Sequence, residues 1–197
     1  MSNISLCHIF DNNKSSLKET SKSEPNPGEI YNMTESELEV IDFDGVKDDY
    51  IRGLKVVITP KSNDALFERD KEWFFIEFKS GKLNKKEIDK VKFKILDSLL
   101  IFTDIINKGI SYTRENLNYI LVYKKDYSTN NKNELDNSEV QESRSFDKLK
   151  SDINKEAKSD PDEFKLKKQF EKLYFKKVYT YTEEEFEEEF VKQYAQQ

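Results

Sequence analysis

Apolar residues in the middle of the chain recur with the period of an α-helix over one long segment. The stripe runs at steps of three and four residues through Ile88, Val91, Ile95, Leu99, Phe102 and Ile106. Side chains at these steps lie on one face of a helix, so the pattern predicts an amphipathic helix over about residues 84–107. Gly109 follows it as a residue that typically ends a helix.

Shorter apolar runs before and after this helix have the composition of β-strands. They are rich in Val, Ile, Phe, Tyr and Trp and are bounded by Pro, Gly or polar residues, which favours strands. The strands predicted in this way cover residues 53–59, 64–68, 73–79 and 118–123. The first residues of 73–79 are apolar on both faces, which indicates a central strand buried on both sides.

Two segments carry the pattern of a helix capping box, in which a Thr is followed three residues later by a Glu. Thr34 and Glu37 predict a short helix running through Leu38, and Thr182 and Glu185 predict a helix near the C-terminus. Both patterns place a side-chain oxygen where the first backbone N–H groups of a helix need an acceptor.

The remaining elements complete an α/β pattern. A helix is predicted over residues 162–172, behind Pro161, and an aromatic-rich strand over 174–181. The order of elements is then helix, three strands, helix, strand, helix, strand, helix. Such an order favours an α/β fold in which a mixed β-sheet is flanked by helices.

Polar stretches divide the chain into a leader and one folded domain. Residues 1–30 are polar and punctuated by Pro and Gly, so we expect a flexible leader there. Residues 31–197 are expected to form a single α/β domain. Within it, residues from about 126 to 160 have sparse apolar positions without a strong period, and we expect them to form a long polar loop.

Composition removes several classes of function. The 197 residues include one cysteine and one histidine, Cys7 and His8. A disulfide framework, a zinc site of paired cysteines and histidines, and a triad resting on several histidines are therefore excluded. Any catalysis must rest on carboxylates, lysines, hydroxyl groups and a hard metal ion. The 33 basic and 39 acidic side chains give a net charge of −6, which disfavours indiscriminate binding to nucleic acid.

The sequence carries no pattern that points to a membrane. No apolar run approaches the roughly 20 residues needed to span a bilayer, so no membrane partner is expected. The N-terminus lacks the basic and apolar stretches of a secretory signal. With a single unpaired cysteine, a reducing cytoplasm is the expected location.

The clearest chemical pattern is formed by Asp64 and the triplet Glu77-Phe78-Lys79. Side chains alternate along a strand, so Glu77 and Lys79 point to the same face. If the preceding strand pairs with theirs, Asp64 and Glu77 converge on one divalent ion, and oxygen ligands suit Mg²⁺ or Mn²⁺. Lys79 would then orient a metal-bound water or stabilise charge on a phosphate. The alternative is a solvent-facing ion pair at the end of the strand.

In these residues the sequence resembles the PD-(D/E)xK nuclease superfamily, over roughly residues 34–125. The resemblance lies in the order acidic helix, strand, Asp strand, Glu-x-Lys strand, helix, strand, and it implies a restriction-endonuclease-like core. Asn63 stands where the motif has Pro. The superfamily also includes members that have kept the fold and lost the chemistry.

The resemblance implies a role for individual residues. Asp64 and Glu77 would bind the metal ion, and Lys79 would assist catalysis. Glu37 or Glu39 would supply the acid that the first helix of the family often contributes.

A cluster of lysines lies next to these residues. Lys82, Lys86 and Lys90 follow one another at steps of four residues, and in the functional interpretation they track the phosphate backbone of DNA or RNA. The alternative is the solvated face of a lysine-rich helix, in which Glu87 and Asp89 dilute the positive charge.

Two functions of different classes fit these observations. The first is a Mg²⁺-dependent nuclease-like domain that hydrolyses phosphodiester bonds of DNA or RNA. The second is a non-catalytic protein-binding module on the same fold, such as an acidic immunity or antitoxin-type protein that binds a basic partner. The net charge and six glutamates within residues 183–189 favour the second. A structural subunit of a larger nucleic-acid complex is a third interpretation.

Overall fold

The computed structural model of the protein describes residues 8–26, 28–124 and 164–195. Eight strands form within them, six in one mixed sheet and two in a separate hairpin. In chain order the strands are β1 (Lys14–Ser16), β2 (Lys22–Asn26), β3 (Glu29–Asn32), β4 (Glu39–Asp42), β5 (Ala65–Arg69), β6 (Glu72–Lys79), β7 (Leu117–Tyr123) and β8 (Val178–Thr182).

The helices lie between these strands and after the last of them. They are α1 (Leu17–Thr20), α2 (Phe43–Ile51), α3 (Lys85–Ile105), α4 (Ile110–Asn116), α5 (Leu166–Phe170), α6 (Glu183–Phe186) and α7 (Lys192–Ala195). A π-helical turn, Glu187–Val191, joins α6 to α7. Within the described ranges, none of the helices is both long and apolar enough to cross a membrane.

The main sheet has the strand order β1-β4-β5-β6-β7-β8, and β2 pairs with β3 in the hairpin. Neighbouring strands from β1 to β6 are antiparallel, whereas β7 is parallel to both β6 and β8. Parallel neighbours need a long crossover connection, and α3 and α4 supply it between β6 and β7. The predicted mixed sheet flanked by helices is therefore confirmed.

Alternating side chains of β6 divide the core into two layers. Phe75 packs with the apolar stripe of α3 on one face, and Phe74 and Phe78 pack with Phe186 and Phe190 on the other. Both faces of β6 are covered, as its sequence indicated. This arrangement places every second residue of β6, including Glu77, on the side of α3.

Several sequence predictions agree with the structure. The long helix spans Lys85–Ile105, and the side chain of its N-cap, Asn84, accepts a hydrogen bond from the Glu87 N–H at 3.1 Å. The capping box at Thr182 is present in both of its hydrogen bonds. The strands predicted over 64–68, 73–79 and 118–123 correspond to β5, β6 and β7, while the later helix and strand are shorter than predicted.

The helix predicted from Thr34 through Leu38 is wrong. The Thr34 hydroxyl accepts a hydrogen bond from the Ser36 N–H at 3.1 Å and donates one to Glu187. A hydroxyl that bonds the N–H two residues later closes a local turn instead of capping a helix. The chain then becomes extended and enters β4 at Glu39.

The strand predicted over residues 53–59 is also wrong. The place beside β5 is occupied by β4, where Ile41 pairs with Leu66. The β-branched segment pairs with no strand among the described residues and forms an irregular loop, in which Val57 is 99% exposed. Composition favours a strand only where the fold offers a partner.

The early part of the chain carries regular structure where the sequence indicated only a loose leader. Within residues 8–26, β1 pairs with β4 and α1 buries Leu17 completely. Backbone pairing and one buried apolar side chain therefore attach this segment to the main sheet. The long polar loop predicted at about 126–160 lies outside the described residues.

Replacing Leu99 by Ala should lower the free energy of unfolding by about 2–5 kcal/mol, because it removes buried methyl groups between α3 and the sheet. Leu100 is 66% exposed on the same helix, so Leu100→Ala is the matched control and should cost at most about 0.5 kcal/mol. Urea unfolding followed by circular dichroism measures both losses. Equal losses would contradict the packing of α3 on the sheet.

Candidate functional site

Asp64 and Glu77 meet at the point where β5 begins and β6 ends. The two strands are antiparallel and Ala65 pairs with Ile76, so Asp64, directly before Ala65, lies beside Glu77, directly after Ile76. The Asp64 carboxylate accepts a hydrogen bond from the Phe78 N–H through Oδ2 at 2.7 Å. This bond anchors Asp64 beside the Glu-x-Lys triplet.

The carboxylate of Glu77 is fully buried and lies among cationic side chains. Lys79 Nζ is 2.8 Å and Lys94 Nζ is 2.7 Å from Glu77 Oε1. Lys94 Nζ is also 2.9 Å from Asp64 Oδ1. A single ammonium group therefore touches both carboxylates, which shows that they face one shared position on the α3 side of the sheet.

Burial determines the protonation of this cluster. Burial, together with the negative charge of Asp64, raises the pKa of Glu77 to about 7, and Lys94 and Lys79 offset this only in part. Burial alone would lower the pKa of Lys94, but the Glu77 and Asp64 carboxylates outweigh it and hold that pKa above its ordinary value. Lys94 therefore stays charged while Glu77 titrates near neutral pH.

Several buried polar atoms around the cluster have no hydrogen-bond partner among the described residues. They include Glu77 Oε2, the hydroxyl of Tyr119 and both side-chain amide atoms of Asn63, which directly precedes Asp64. Burial raises the pKa of Tyr119 well above its ordinary value, and the charges of Glu77 and Asp64 add to the effect. A neutral Tyr hydroxyl and a carboxylate oxygen thus both retain unused bonding capacity in the interior.

Asp64 lines two surface cavities. One, of about 510 Å³, is also lined by Lys22, Lys79, Lys82 and Asn84. The other, of about 350 Å³, is also lined by Glu19, Asp42 and Asp44 together with small hydroxyl side chains. The first cavity brings lysines to the site, and the second brings carboxylates.

Glu37 and Glu39 do not lie at the site, so their assignment as helix acid is wrong. Glu37 is exposed in the extended segment, 3.9 Å from Lys18. Glu39 lies in β4, bonds Lys14 at 2.9 Å, and lines a cavity at the end of β5 opposite Asp64. Both placements follow from the turn that replaces the predicted helix. Three acidic residues on helices do line a cavity together with Asp64, namely Glu19 of α1, Asp44 of α2 and Glu87 of α3.

The three lysines predicted to bind nucleic acid are all exposed. Lys82 lies in the turn before α3 and lines the larger cavity, whereas Lys86 and Lys90 lie on α3 itself. Lys90 is 2.6 Å from Glu87 on the same helix. Lys86, Lys90 and Lys94 follow one another at steps of four residues and so lie along one side of α3. The last of them, Lys94, contacts the carboxylates of Asp64 and Glu77.

Lys94 and Glu19 are the residues that sequence reasoning missed. Lys94 lies between Val91 and Ile95 on the edge of the apolar stripe, so the sequence pattern could have shown that its side chain lies close to the core. The pattern could not have shown that it contacts Asp64 and Glu77, because the fold decides which strand lies beside α3. No sequence pattern pointed to Glu19, because the structure of its segment depends on pairing with β4.

The residues present fit a hard divalent ion. Within residues 8–26, 28–124 and 164–195, no group of three or more acidic, His or Cys side chains is placed to hold a metal. Mg²⁺ needs no such group, since one or two carboxylates with water and substrate phosphate complete its coordination. Asp64 and Glu77 already face a common cation, and Glu77 Oε2 is free to ligate.

Comparison with known proteins adds no assignment to this geometry. No protein-family model, no curated protein and no solved structure matches the chain. The site is therefore interpreted from its own residues.

The stability of the metal-free protein should depend on pH through Glu77. Its pKa is about 7 in the folded protein against an ordinary value of 4.5, so the folded state binds more protons between these values. This contribution to stability is present below about pH 4.5 and is lost as the pH rises towards 7. Glu77→Gln keeps the neutral form, so its stability relative to the natural protein should rise between about pH 5 and pH 8, by up to about 3 kcal/mol.

Urea unfolding in the presence of a chelator measures this difference at each pH. Glu37→Gln is the control, because Glu37 is exposed, and its stability difference should stay constant. A constant difference for Glu77→Gln as well would contradict a raised pKa of the Glu77 carboxyl in the folded protein.

Proposed function

We propose that the protein is a Mg²⁺-dependent nuclease-like hydrolase that cleaves phosphodiester bonds of DNA or RNA. The observation that carries the proposal is the contact of one ammonium group with both Asp64 and Glu77, beside Lys79. Two carboxylates that share one cation position, next to a lysine and an open cavity, suit metal-assisted hydrolysis of a phosphodiester.

The order of elements also supports this proposal. The resemblance implies an acidic helix, a strand, the Asp strand, the Glu-x-Lys strand, a helix and a strand. The chain has α1, β4, β5, β6, α3 and β7 in that order, with the β2–β3 hairpin between α1 and β4, α2 between β4 and β5, and α4 between α3 and β7. In this interpretation the sheet is a restriction-endonuclease-like core, and Glu19 of α1 takes the role first expected of Glu37 or Glu39.

Each residue of the site has a defined task in this proposal. Asp64 and Glu77 hold the ion, which when bound supplies an activated water and neutralises charge on the phosphate. Lys79 contacts Glu77 and lines the larger cavity, so its ammonium group stabilises the negative charge that develops on the phosphate oxygens. Glu77 must ionise to bind the ion, and the attraction of a divalent charge offsets the cost of ionising it in the interior.

Local positive charge guides the substrate in spite of the net charge. The chain as a whole carries −6, which repels a polyanion at long range. Lys22 and Lys82 line the cavity, and Lys86 and Lys90 continue along the exposed side of α3. The phosphate backbone is therefore expected to approach along the N-terminal half of α3.

Nuclease activity should depend on Asp64 and Lys79 in different ways. Asp64→Ala should abolish both Mn²⁺ binding and cleavage, because it removes one of two ligands. Lys79→Ala should retain metal binding and slow cleavage by about 100-fold or more, because it removes charge that acts in the transition state. Cleavage of labelled DNA and RNA and calorimetric Mn²⁺ binding measure the two effects.

Glu39→Gln is the matched control, since it changes a carboxylate on the neighbouring strand β4 that lies away from the site. It should retain both properties. If the natural protein leaves DNA and RNA intact with Mg²⁺ or Mn²⁺, and Asp64→Ala behaves identically, the nuclease proposal fails.

The lysines of α3 should contribute to nucleic-acid binding without affecting metal binding. Changing both Lys86 and Lys90 to Ala should weaken binding to DNA or RNA and reduce the slope of log affinity against log salt by about 1–2. Fluorescence anisotropy at several salt concentrations measures the slope. Changing the lysines Lys167 and Lys168 of α5 gives a control, and an equal reduction there would argue against a defined path along α3.

A non-catalytic module that binds a basic protein is the second candidate function. The observation that favours it is charge compensation, because Lys79 and Lys94 already balance Asp64 and Glu77 without a metal. The glutamate-rich helix supports it less than the sequence indicated. Four of its six glutamates contact residues of this chain, namely Glu183, Glu185, Glu187 and Glu188. Failure of the cleavage experiment above makes this module the preferred function.

A further inference from the structure

We propose that Lys94 is a resident cation of the metal site: its ammonium group occupies the position between Asp64 and Glu77 and must leave when a divalent ion binds. This inference rests on the proposed metal site. It goes further by proposing that Lys94 lowers the affinity of that site for a divalent ion, so that the affinity depends on a residue of α3 as well as on the two carboxylates.

The contacts of Lys94 are those of a cation ligated by two carboxylates. Its Nζ atom lies 2.9 Å from Asp64 Oδ1 and 2.7 Å from Glu77 Oε1. A divalent ion ligated by the same two oxygens must lie between them, where the ammonium group now is. Both cations cannot be held there together, because like charges at contact distance repel strongly in a buried site.

The position of Lys94 on α3 makes this contact a built feature of the fold. Its neighbours Val91 and Ile95 are buried against the sheet, which fixes the helix relative to β5 and β6. The side chain of Lys94 is only 21% exposed. Lys90, one turn earlier, is on the surface and contacts Glu87 instead. Lys94 is thus directed inward by the packing of the helix.

Charge balance explains why the metal-free site needs Lys94. Glu77 is completely buried, and a buried carboxylate without a partner is strongly destabilising. Lys94 and Lys79 bring the cluster with Asp64 and Glu77 to neutrality. The buried charges are therefore balanced without a metal. As a consequence, the Lys94 ammonium group already occupies the position that a divalent ion would take.

Displacement of Lys94 would also link the binding of the metal ion to the binding of nucleic acid. With a divalent ion in place of the Lys94 ammonium group, Asp64, Glu77, Lys79 and the ion together carry a net charge of +1, which attracts a phosphodiester. The displaced ammonium group stays near negative charge, because Asp42, Asp44 and Glu19 line the cavity next to Asp64 together with Lys22. We therefore expect metal and nucleic acid to bind more tightly together than separately.

Calorimetric Mn²⁺ binding to the full chain tests the proposal. Lys94→Met keeps the length of the side chain and removes its charge, and it should bind Mn²⁺ about 10-fold more tightly than the natural protein or better. Without metal the variant should melt at a lower temperature, and saturating Mn²⁺ should raise its melting temperature more than that of the natural protein. Lys90→Met is the matched control on the same helix and should leave both quantities unchanged.

The outcomes separate this inference from the proposed function. If the natural protein binds Mn²⁺ and Lys94→Met binds it equally or more weakly, Lys94 does not compete and the inference is wrong while the metal site stands. If neither binds Mn²⁺ at about 10 mM, the metal site itself fails and takes the inference with it. If only Lys94→Met binds, competition is supported and the nuclease function of the natural protein is rejected.

Circular dichroism covers the case of a variant that does not fold. If Lys94→Met is unfolded in a chelator and refolds on addition of Mn²⁺, the ion has replaced the ammonium group and the proposal is supported. If it stays unfolded with Mn²⁺, the ion cannot take the place of Lys94, and the proposal is overturned.

Discussion

The buried carboxylate of Glu77 is the constraint on which the rest of the site depends. It is carried by the central strand β6, whose two faces are both covered, so it has no access to water. A charge in such a place must be paired or neutralised. Lys94, Lys79 and the raised pKa of Glu77 are three responses to this one requirement.

Helix α3 contributes to both the core and the site. Its apolar stripe packs in the core, and Lys94 at the edge of the stripe contacts the carboxylates of the site, Asp64 and Glu77. Because the packing of the stripe fixes the helix, the lysine is held without a loop or a hinge. The same element therefore contributes to the stability of the core and to the position of the lysine beside the two carboxylates.

Local charge at the site differs from the charge of the whole chain. The net charge is −6, yet the cluster around Glu77 is balanced and lysines line the adjoining cavity. Several glutamates of the C-terminal helix form contacts within the chain, such as the hydrogen bonds of Glu183 with Tyr31 and of Glu187 with Thr34. The net charge of the chain therefore does not describe the charge around Glu77.

The sequence by itself determined α3, β5, β6 and β7, and with β6 the common face of Glu77 and Lys79, because periodicity and strand alternation are local properties. The pairing of β5 with β6, which brings Asp64 beside Glu77, is a long-range contact. Only the tertiary structure decided what depends on long-range partners. Among the described residues the β-branched segment 53–59 pairs with no strand, Thr34 bonds a turn instead of a helix, and Glu39 enters β4. Lys94 joins the site because packing brings α3 against the sheet, and no local pattern encodes which distant carboxylates a helical lysine will meet.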